Sequence, residues 1–472
     1  MSRFCSLVPA VALATSLQMA VAASSAEPGE WKSAQERASS TSIVWLESSN
    51  ENLGERAKLL TEFLKKSDLT ADLIFNFGKS IGLLVEGNAT ATRPKLQEIF
   101  NAFVGDDKVK IFGNADSPVR PTVESNTVLH SFADCTESKL RYNEDDRLDW
   151  GVEYVWQKKP PDDYTGAHVA WVIDSGIGTG FPGELNVVKR KDCTQGDCRS
   201  DGQKTDRVGH ATMIAGVIGA RKGNSKGVIG VAPGAFLYSL RVVDDSTGQL
   251  NISSVVTALN WILGNATAND DGDNTTPSPG DVVNLSLGAA WSAASKSQKE
   301  VETALRVLAD KGLKISIAAG NSDALGGLAY VQAITPARIG GYGPTASGGL
   351  IATVSAFDKR GWFWEFSAFG NYYDYYNNKN EHKERASLPD FSEPGVDILS
   401  LWPGPDLAIC SGTSLSAAHL SGILLWGDVY ASGKAAQFDR SAGKVDLGRV
   451  PKPGNPGDYV EGLLDPIGVK TP

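Results

Sequence analysis

His168-Val-Ala-Trp-Val-Ile-Asp-Ser-Gly176 is the stretch on which the fold turns. Val169 to Ile173 are apolar without interruption, and the run stops at Asp174, with Ser175-Gly176 behind it as a turn signal. A short continuous apolar run closed by a turn reads as a strand buried on both faces, the kind found in parallel sheets. Outward from it the pattern repeats. Ala211 to Ile218, Val255 to Leu263 and Lys299 to Lys311 read as helices. Phe236 to Val243, Val282 to Leu287, Leu313 to Ala318 and Leu350 to Val354 read as strands. Strands alternating with helices imply an α/β fold: a mostly parallel sheet flanked by helices on both faces.

In such sheets functional groups gather at the carboxyl ends of strands. Asp174 occupies such an end, although an acid there also serves as a turn or helix cap. His210 opens Gly209-His-Ala-Thr-Met-Ile-Ala-Gly-Val-Ile-Gly219, where small residues allow close helix packing that would hold the imidazole rigidly. The other four histidines, His130, His168, His382 and His419, have no comparable setting and read as structural. Ser414 follows Gly412-Thr413 and precedes the apolar run Leu420 to Trp426, which places it at a helix N-terminus. Capping explains a serine there, but the same free N–H groups can also stabilise an oxyanion. Asn321, after the strand ending at Ala318, is either a turn residue or an amide donor to that oxyanion.

Asp174-Ser-Gly, Gly209-His-Ala-Thr, Asn284-Leu-Ser-Leu-Gly288, Ala318-Ala-Gly-Asn321 and Gly412-Thr-Ser414 occur in that order. Together with Gly227-Val-Ile-Gly-Val-Ala-Pro-Gly-Ala, they resemble the subtilisin-like serine proteases, peptidase family S8, over about residues 150 to 427. The resemblance implies a serine endopeptidase with Ser414 as nucleophile, His210 as general base and acid, and Asp174 as its orienting partner. It gives Asn321 the oxyanion role and requires no cofactor for catalysis. Ser286, Leu287, Gly288, Ala318, Ala319 and Gly320 would line the pocket for the residue before the cut. They are small and uncharged apart from Leu287, so large apolar or aromatic side chains should be preferred. Ser246 to Leu250 would pair with an extended substrate as an added strand. The chain departs from the family pattern at Ala211 (usually Gly), Leu415 (commonly Met) and Ala418 (usually Pro). Leu415 removes an oxidisable sulfur beside the nucleophile, so the resemblance implies resistance to peroxide.

The N-terminus reads as an export signal over residues 1–22: Arg3, then a mostly apolar stretch to Leu17, then Ala20-Val21-Ala22. The product is therefore expected to be secreted and free of the membrane. Residues 42–113 read as a compact βαββαβ unit. Its strands are Ser42 to Leu46, Leu73 to Phe77, Ile81 to Val85 and Val109 to Phe112, and its helices Glu51 to Lys66 and Arg93 to Phe103. In position, size and element order this small α+β unit is similar to the family's inhibitory propeptide. The resemblance then implies a self-processing zymogen. Residues 114–149 read as a polar linker holding the maturation site, and 150–472 as the catalytic domain.

Composition narrows the partners. Of 472 residues, 41 % are hydrophobic, enough for a large core, and the net charge of -10 argues against a nucleic-acid backbone. Protein or peptide substrates and the chain's own propeptide are the expected partners of a monomer. Of five cysteines, Cys5 would leave with the signal. Cys135, Cys193, Cys198 and Cys410 allow three pairings, and Cys193 with Cys198 around a turn is the first expectation. Asn269 to Asn274 offers oxygen ligands for structural calcium but lacks EF-hand spacing, and a solvated loop explains it as well. Glycosylation sequons stand at Asn88, Asn251, Asn265, Asn274 and Asn284, the last in a buried strand where use is not expected. Three rival readings compete with this one. An α/β-hydrolase needs Gly-x-Ser-x-Gly, and Ser416 occupies the last position. A binding protein retaining the fold would not need all four catalytic positions filled. Peptide ligation or cyclisation through the same acyl-enzyme differs from hydrolysis only in its products.

Overall fold

The structure, a computed structural model, describes residues 41–47, 53–65, 69–77, 80–86, 96, 122–125, 127–141, 146–156, 160, 162–202, 205–244, 248–264, 275–322, 324–325, 330–361, 363–369, 389–404, 406–427, 450–451 and 459–460. The signal segment, the acidic stretch 269–274, the strand expected at Val109 to Phe112 and nearly all of the helix at Arg93 to Phe103 lie outside these.

The small unit comprises β1 (Thr41–Glu47), α1 (Leu53–Lys65), β2 (Thr70–Phe77), β3 (Ser80–Glu86) and β4 (Thr122–Ser125), in a sheet of order β2-β3-β1-β4. Alternate residues of a strand face opposite ways. Val44 and Leu46 accordingly pack with Leu60 and Leu64 of α1. Ile43 and Trp45 face away from α1, into the core of the larger unit. Both faces of β1 are thus buried, which is why its sequence is apolar throughout.

Two strands connect the units. β5 (Val128–Ser131) and β6 (Asp134–Arg141) precede a short helix, α2 (Trp150–Trp156). The polar stretch 114–149 is therefore not the plain linker its composition suggests: it carries β4, β5 and β6. Partner backbones supply their hydrogen bonds, so these strands need no strong apolar alternation.

The larger unit is built on β7 (Val169–Asp174), β8 (Asn186–Asp192), β9 (Arg199–Ser200), α3 (His210–Gly219), β10 (Phe236–Arg241), β11 (Leu250–Asn251), α4 (Ile252–Ile262), β12 (Val282–Leu285), β13 (Leu287–Ala290), α5 (Lys296–Asp310), β14 (Lys314–Ala318), β15 (Ile334–Thr335), β16 (Leu350–Phe357), β17 (Phe391–Pro394), β18 (Ile398–Trp402), β19 (Asp406–Ser411) and α6 (Thr413–Trp426). A main sheet of order β17-β16-β14-β12-β7-β10-β8-β9 is parallel except for β9 on β8. Its helices divide between the faces: α3 and α6 pack in one core, α4 and α5 in the other. The strand expected at Val282 to Leu287 is two strands parted at Ser286. The second leaves the main sheet for a smaller one of order β11-β5-β13-β15.

The direction of winding reverses at β7, whose neighbours are β12 and β10. Open parallel sheets bind ligands at the carboxyl ends of strands beside such a switch. Asp174 ends β7 there.

Candidate active site

Three side chains from distant parts of the chain meet at this edge. His210 Nδ1 lies 2.8 Å from both Oδ1 and Oδ2 of Asp174. Its Nε2 lies 3.0 Å from the Oγ of Ser414. All three side chains are buried. Each comes from the end of a regular element: the last residue of β7, the first of α3 and the second of α6.

His210 is held by more than Asp174. Asp206, four residues earlier, accepts hydrogen bonds from Gly209 N (2.8 Å), Thr212 N (3.0 Å) and Thr212 Oγ1 (2.8 Å), fastening the start of α3. Gly209 at φ 87° makes the turn into the helix, and a β-carbon there would meet the Trp402 ring at 2.7 Å. Ser175 Oγ accepts from Ala211 N at 2.9 Å. Burial alone would lower the imidazole pKa, but the charge and hydrogen bond of Asp174, joined by the charge of Asp206, hold it above the usual histidine value.

Asn321 is oriented by Thr413, whose N and Oγ1 donate to its Oδ1 at 3.1 and 2.9 Å. With the carbonyl end committed, the amide nitrogen is the end offered to an oxyanion. Gly320 N donates to Thr413 Oγ1 at 3.1 Å, which ties the loop after β14 to the start of α6. Ser286 lies beneath the nucleophile: its carbonyl accepts from Ser414 Oγ at 3.2 Å, and its hydroxyl donates to Ser414 O at 3.2 Å. Ala318 and Ala319 are buried, Ala319 N bonding to Val354 O at 2.9 Å.

The cleft is occupied by the chain itself. β5 lies antiparallel between β11 and β13, with Leu129 opposite Leu250, His130 opposite Gly288 and Ser131 opposite Leu287. Residue 250, at the end of the stretch expected to pair with substrate, therefore receives a strand, while 245–247 lie outside the described residues. Phe132 follows β5 and is fully buried. Ser414 N donates to its carbonyl oxygen at 3.1 Å, and Phe132 N donates to Ser414 Oγ at 3.1 Å. A β-carbon on Gly288 would stand 3.1 Å from the Phe132 ring and 2.6 Å from Thr335 O, so only glycine leaves room for the aromatic side chain.

The structure brings Asp174, His210 and Ser414 together, as the sequence led one to expect, with Asn321 and Ser286 beside them. Sequence reasoning missed Asp206 and Phe132. Asp206 lies three residues before the N-cap Gly209, outside any capping pattern, so only the folded loop brings it to Gly209 N and Thr212. Phe132 carried little signal beyond being an aromatic in a short polar-flanked stretch, between Ser131 and Ala133. Of the other described histidines, His130 lies on β5 in the cleft, opposite Gly288, and the remaining two lie elsewhere. His168 is 3.7 Å from Asp281, and His419 donates through Nδ1 to Leu415 O at 2.8 Å. Burial holds the His419 pKa down at about 4, so it is neutral. His382 lies outside the described residues. Asn284 is fully buried, its amide donating to Ser286 Oγ at 3.0 Å, so its sequon is sterically closed. Disulfides join Cys193 to Cys198 and Cys135 to Cys410. Among the described residues, no group of three or more His, Cys, Asp or Glu side chains gathers to hold a metal ion, and no helix is long and apolar enough to cross a membrane.

The Subtilase family (Peptidase S8) matches residues 165–426. Proteinase T of Parengyodontium album is 29 % identical over 284 residues, 58 % of this chain and 78 % of that protein. Subtilisin of Bacillus sp. (strain TA39) is 30 % identical over 281 residues, covering 58 % of this chain and 60 % of its own length. A cuticle-degrading serine protease of Arthrobotrys oligospora is 27 % identical over 327 residues, 69 % of this chain and 67 % of that one. The matched span contains Asp174, His210, Asn321 and Ser414, so the chain belongs to the subtilase family and is a hydrolase of the serine endopeptidase type.

Proposed function

We propose that the chain is a secreted zymogen that cuts itself between Phe132 and Ala133 and then hydrolyses peptides through an acyl-enzyme on Ser414. The observation carrying this reading is Phe132, seated with its carbonyl on Ser414 N and its own N–H on the attacking hydroxyl. In this reading Ser414 Oγ bonds to the Phe132 carbonyl carbon while His210 Nε2 takes its proton. The negative oxygen is stabilised by Ser414 N–H and the Asn321 amide. His210 then passes the proton to the Ala133 nitrogen as the carbon–nitrogen bond breaks, with Asp174 stabilising the imidazolium. Water, deprotonated by His210, releases the acyl group and restores the serine. Other peptides follow the same steps.

The upstream product stays as inhibitor because the small unit docks on α4 and α5. Trp45 Nε1 donates to Ser297 Oγ at 3.0 Å, Asn76 N to Asn260 Oδ1 at 3.1 Å and Ser80 Oγ to Glu300 Oε1 at 3.0 Å, around a shared apolar core. Phe132 and Leu129 also set the selectivity of the cleft: an aromatic side chain directly before the cut and an apolar one three residues earlier. Ser414→Ala should leave the full-length chain uncut, whereas the wild type should yield a chain beginning at Ala133 by intact-mass measurement. Maturation of Ser414→Ala at the wild-type rate, with no other protease present, refutes the reading.

A further inference from the structure

The second disulfide lies where product must leave. β6 pairs antiparallel with β19, with Cys135 opposite Cys410 and Asp134 opposite Ser411, and the bridge joins Cys135 to Cys410 only four residues before the nucleophile. A β-carbon on Gly412 would sit 2.0 Å from Phe132 O and 2.7 Å from Ala133 Cα, which measures how tightly this segment crosses the entrance to α6. Cys135 Sγ also lies 3.5 Å from Met213 Sδ, on the helix that carries His210. Ala133 and the residues after it therefore line the side of the cleft that receives the leaving group.

Cleavage after Phe132, on which this inference rests, leaves both bridged cysteines in the downstream chain. The new amino group at Ala133 stays two residues from a covalent anchor, a reach of about 7 Å. The upstream product can dissociate and vacate its side of the cleft, whereas the downstream segment stays linked to β19. We propose that the Cys135–Cys410 bridge keeps Ala133 to Thr136 on the leaving-group side of the mature cleft, so that the enzyme favours substrates with a small leaving group. A peptide extending several residues past the cut must displace this segment from β19. The segment competes intramolecularly, at a high effective concentration. A compact leaving group avoids the competition.

The test uses the matured protein and two probes that share the acyl part Leu-His-Ser-Phe: a p-nitroanilide, and a quenched peptide with four residues beyond Phe. Opening the bridge by Cys135→Ser should raise kcat/KM for the extended peptide about tenfold or more, and change the anilide value less than twofold. Reducing the folded wild type with dithiothreitol opens this bridge together with Cys193–Cys198 and should give the same shift, which covers failure of the variant to fold, while an unreduced Cys193→Ser/Cys198→Ser variant should show no shift. An unchanged ratio of the two probes after Cys135→Ser or after reduction overturns the proposal, as does a mature N-terminus beyond Cys135. Loss of anilide hydrolysis in both proteins instead overturns the reading of Ser414.

Discussion

Asp206 ranks beside the triad at the scale of single residues, because His210 is useful only if the start of α3 does not move. Three hydrogen bonds to one buried carboxylate fix that start, and its charge adds to that of Asp174 in favouring the imidazolium. The general base must be neutral before attack. With the His210 pKa held above the ordinary value, activity should rise with pH along a limb displaced to the alkaline side of free imidazole. Asp206→Asn removes one of the two charges, so the limb should move to lower pH. A kcat/KM profile that stays in place would show that Asp206 acts only by fastening the start of α3. Gly288 makes a second residue-scale case. Gly288→Ala places a methyl against the Phe132 ring site, so a peptide library should shift from aromatic residues before the cut towards small ones. A profile still led by Phe, or one dominated by Lys or Arg in the wild type, contradicts the pocket described here.

At the scale of elements, α6 holds the nucleophile, and both its ends are anchored. Its first turn meets Asn321 and Gly320 through Thr413. At the far end the buried Lys314 of β14 donates to Leu424 O at 3.2 Å and Gly427 O at 2.9 Å, placing a cation at the carbonyl end of the helix. Lys314→Met keeps most of the volume but abandons those carbonyls. Hydrogen bonds from charged groups are worth about 1.5–3 kcal/mol, so thermal or denaturant unfolding should show a loss of that order. A stability within 0.5 kcal/mol of wild type, roughly the scatter of surface substitutions, would mean the contact adds nothing. Elements also divide what the sequence discloses from what it conceals. The buried strands β7, β12, β14 and β16 and the helices α3 to α5 were legible because continuous apolar runs and helical spacing carry their own signal. β8, with Lys189, Arg190 and Lys191, was not, since β9 pairs only with Lys191 and Asp192 and the rest of the strand lies at the margin of the sheet, where residues need not be apolar. β5 and β6 were concealed for a related reason: their stability comes from the strands they pair with, hundreds of residues away in part.

For the whole molecule, the arrangement is a subtilase-family chain with its own segment, β5 and Phe132, lying across Ser414, which is what the proposed self-cleavage requires. The meeting of Asp174, His210 and Ser414 was legible because the motifs around them stand in a particular order along the chain. The occupant of the cleft was not, because any extended segment with a suitable aromatic would serve and only the three-dimensional path singles out Phe132. The second disulfide belongs to the same class, since pairing Cys135 with Cys410 requires β6 to lie on β19. The proposed function rests on His210 activating one serine among many. Labelling the matured protein with an aryl phosphonofluoridate and mapping the adduct by mass spectrometry tests this most directly. One phosphonyl group should appear on Ser414, activity should disappear in proportion, and His210→Ala should label far more slowly. An adduct on another residue, or full peptidase activity with Ser414 completely modified, would contradict the account.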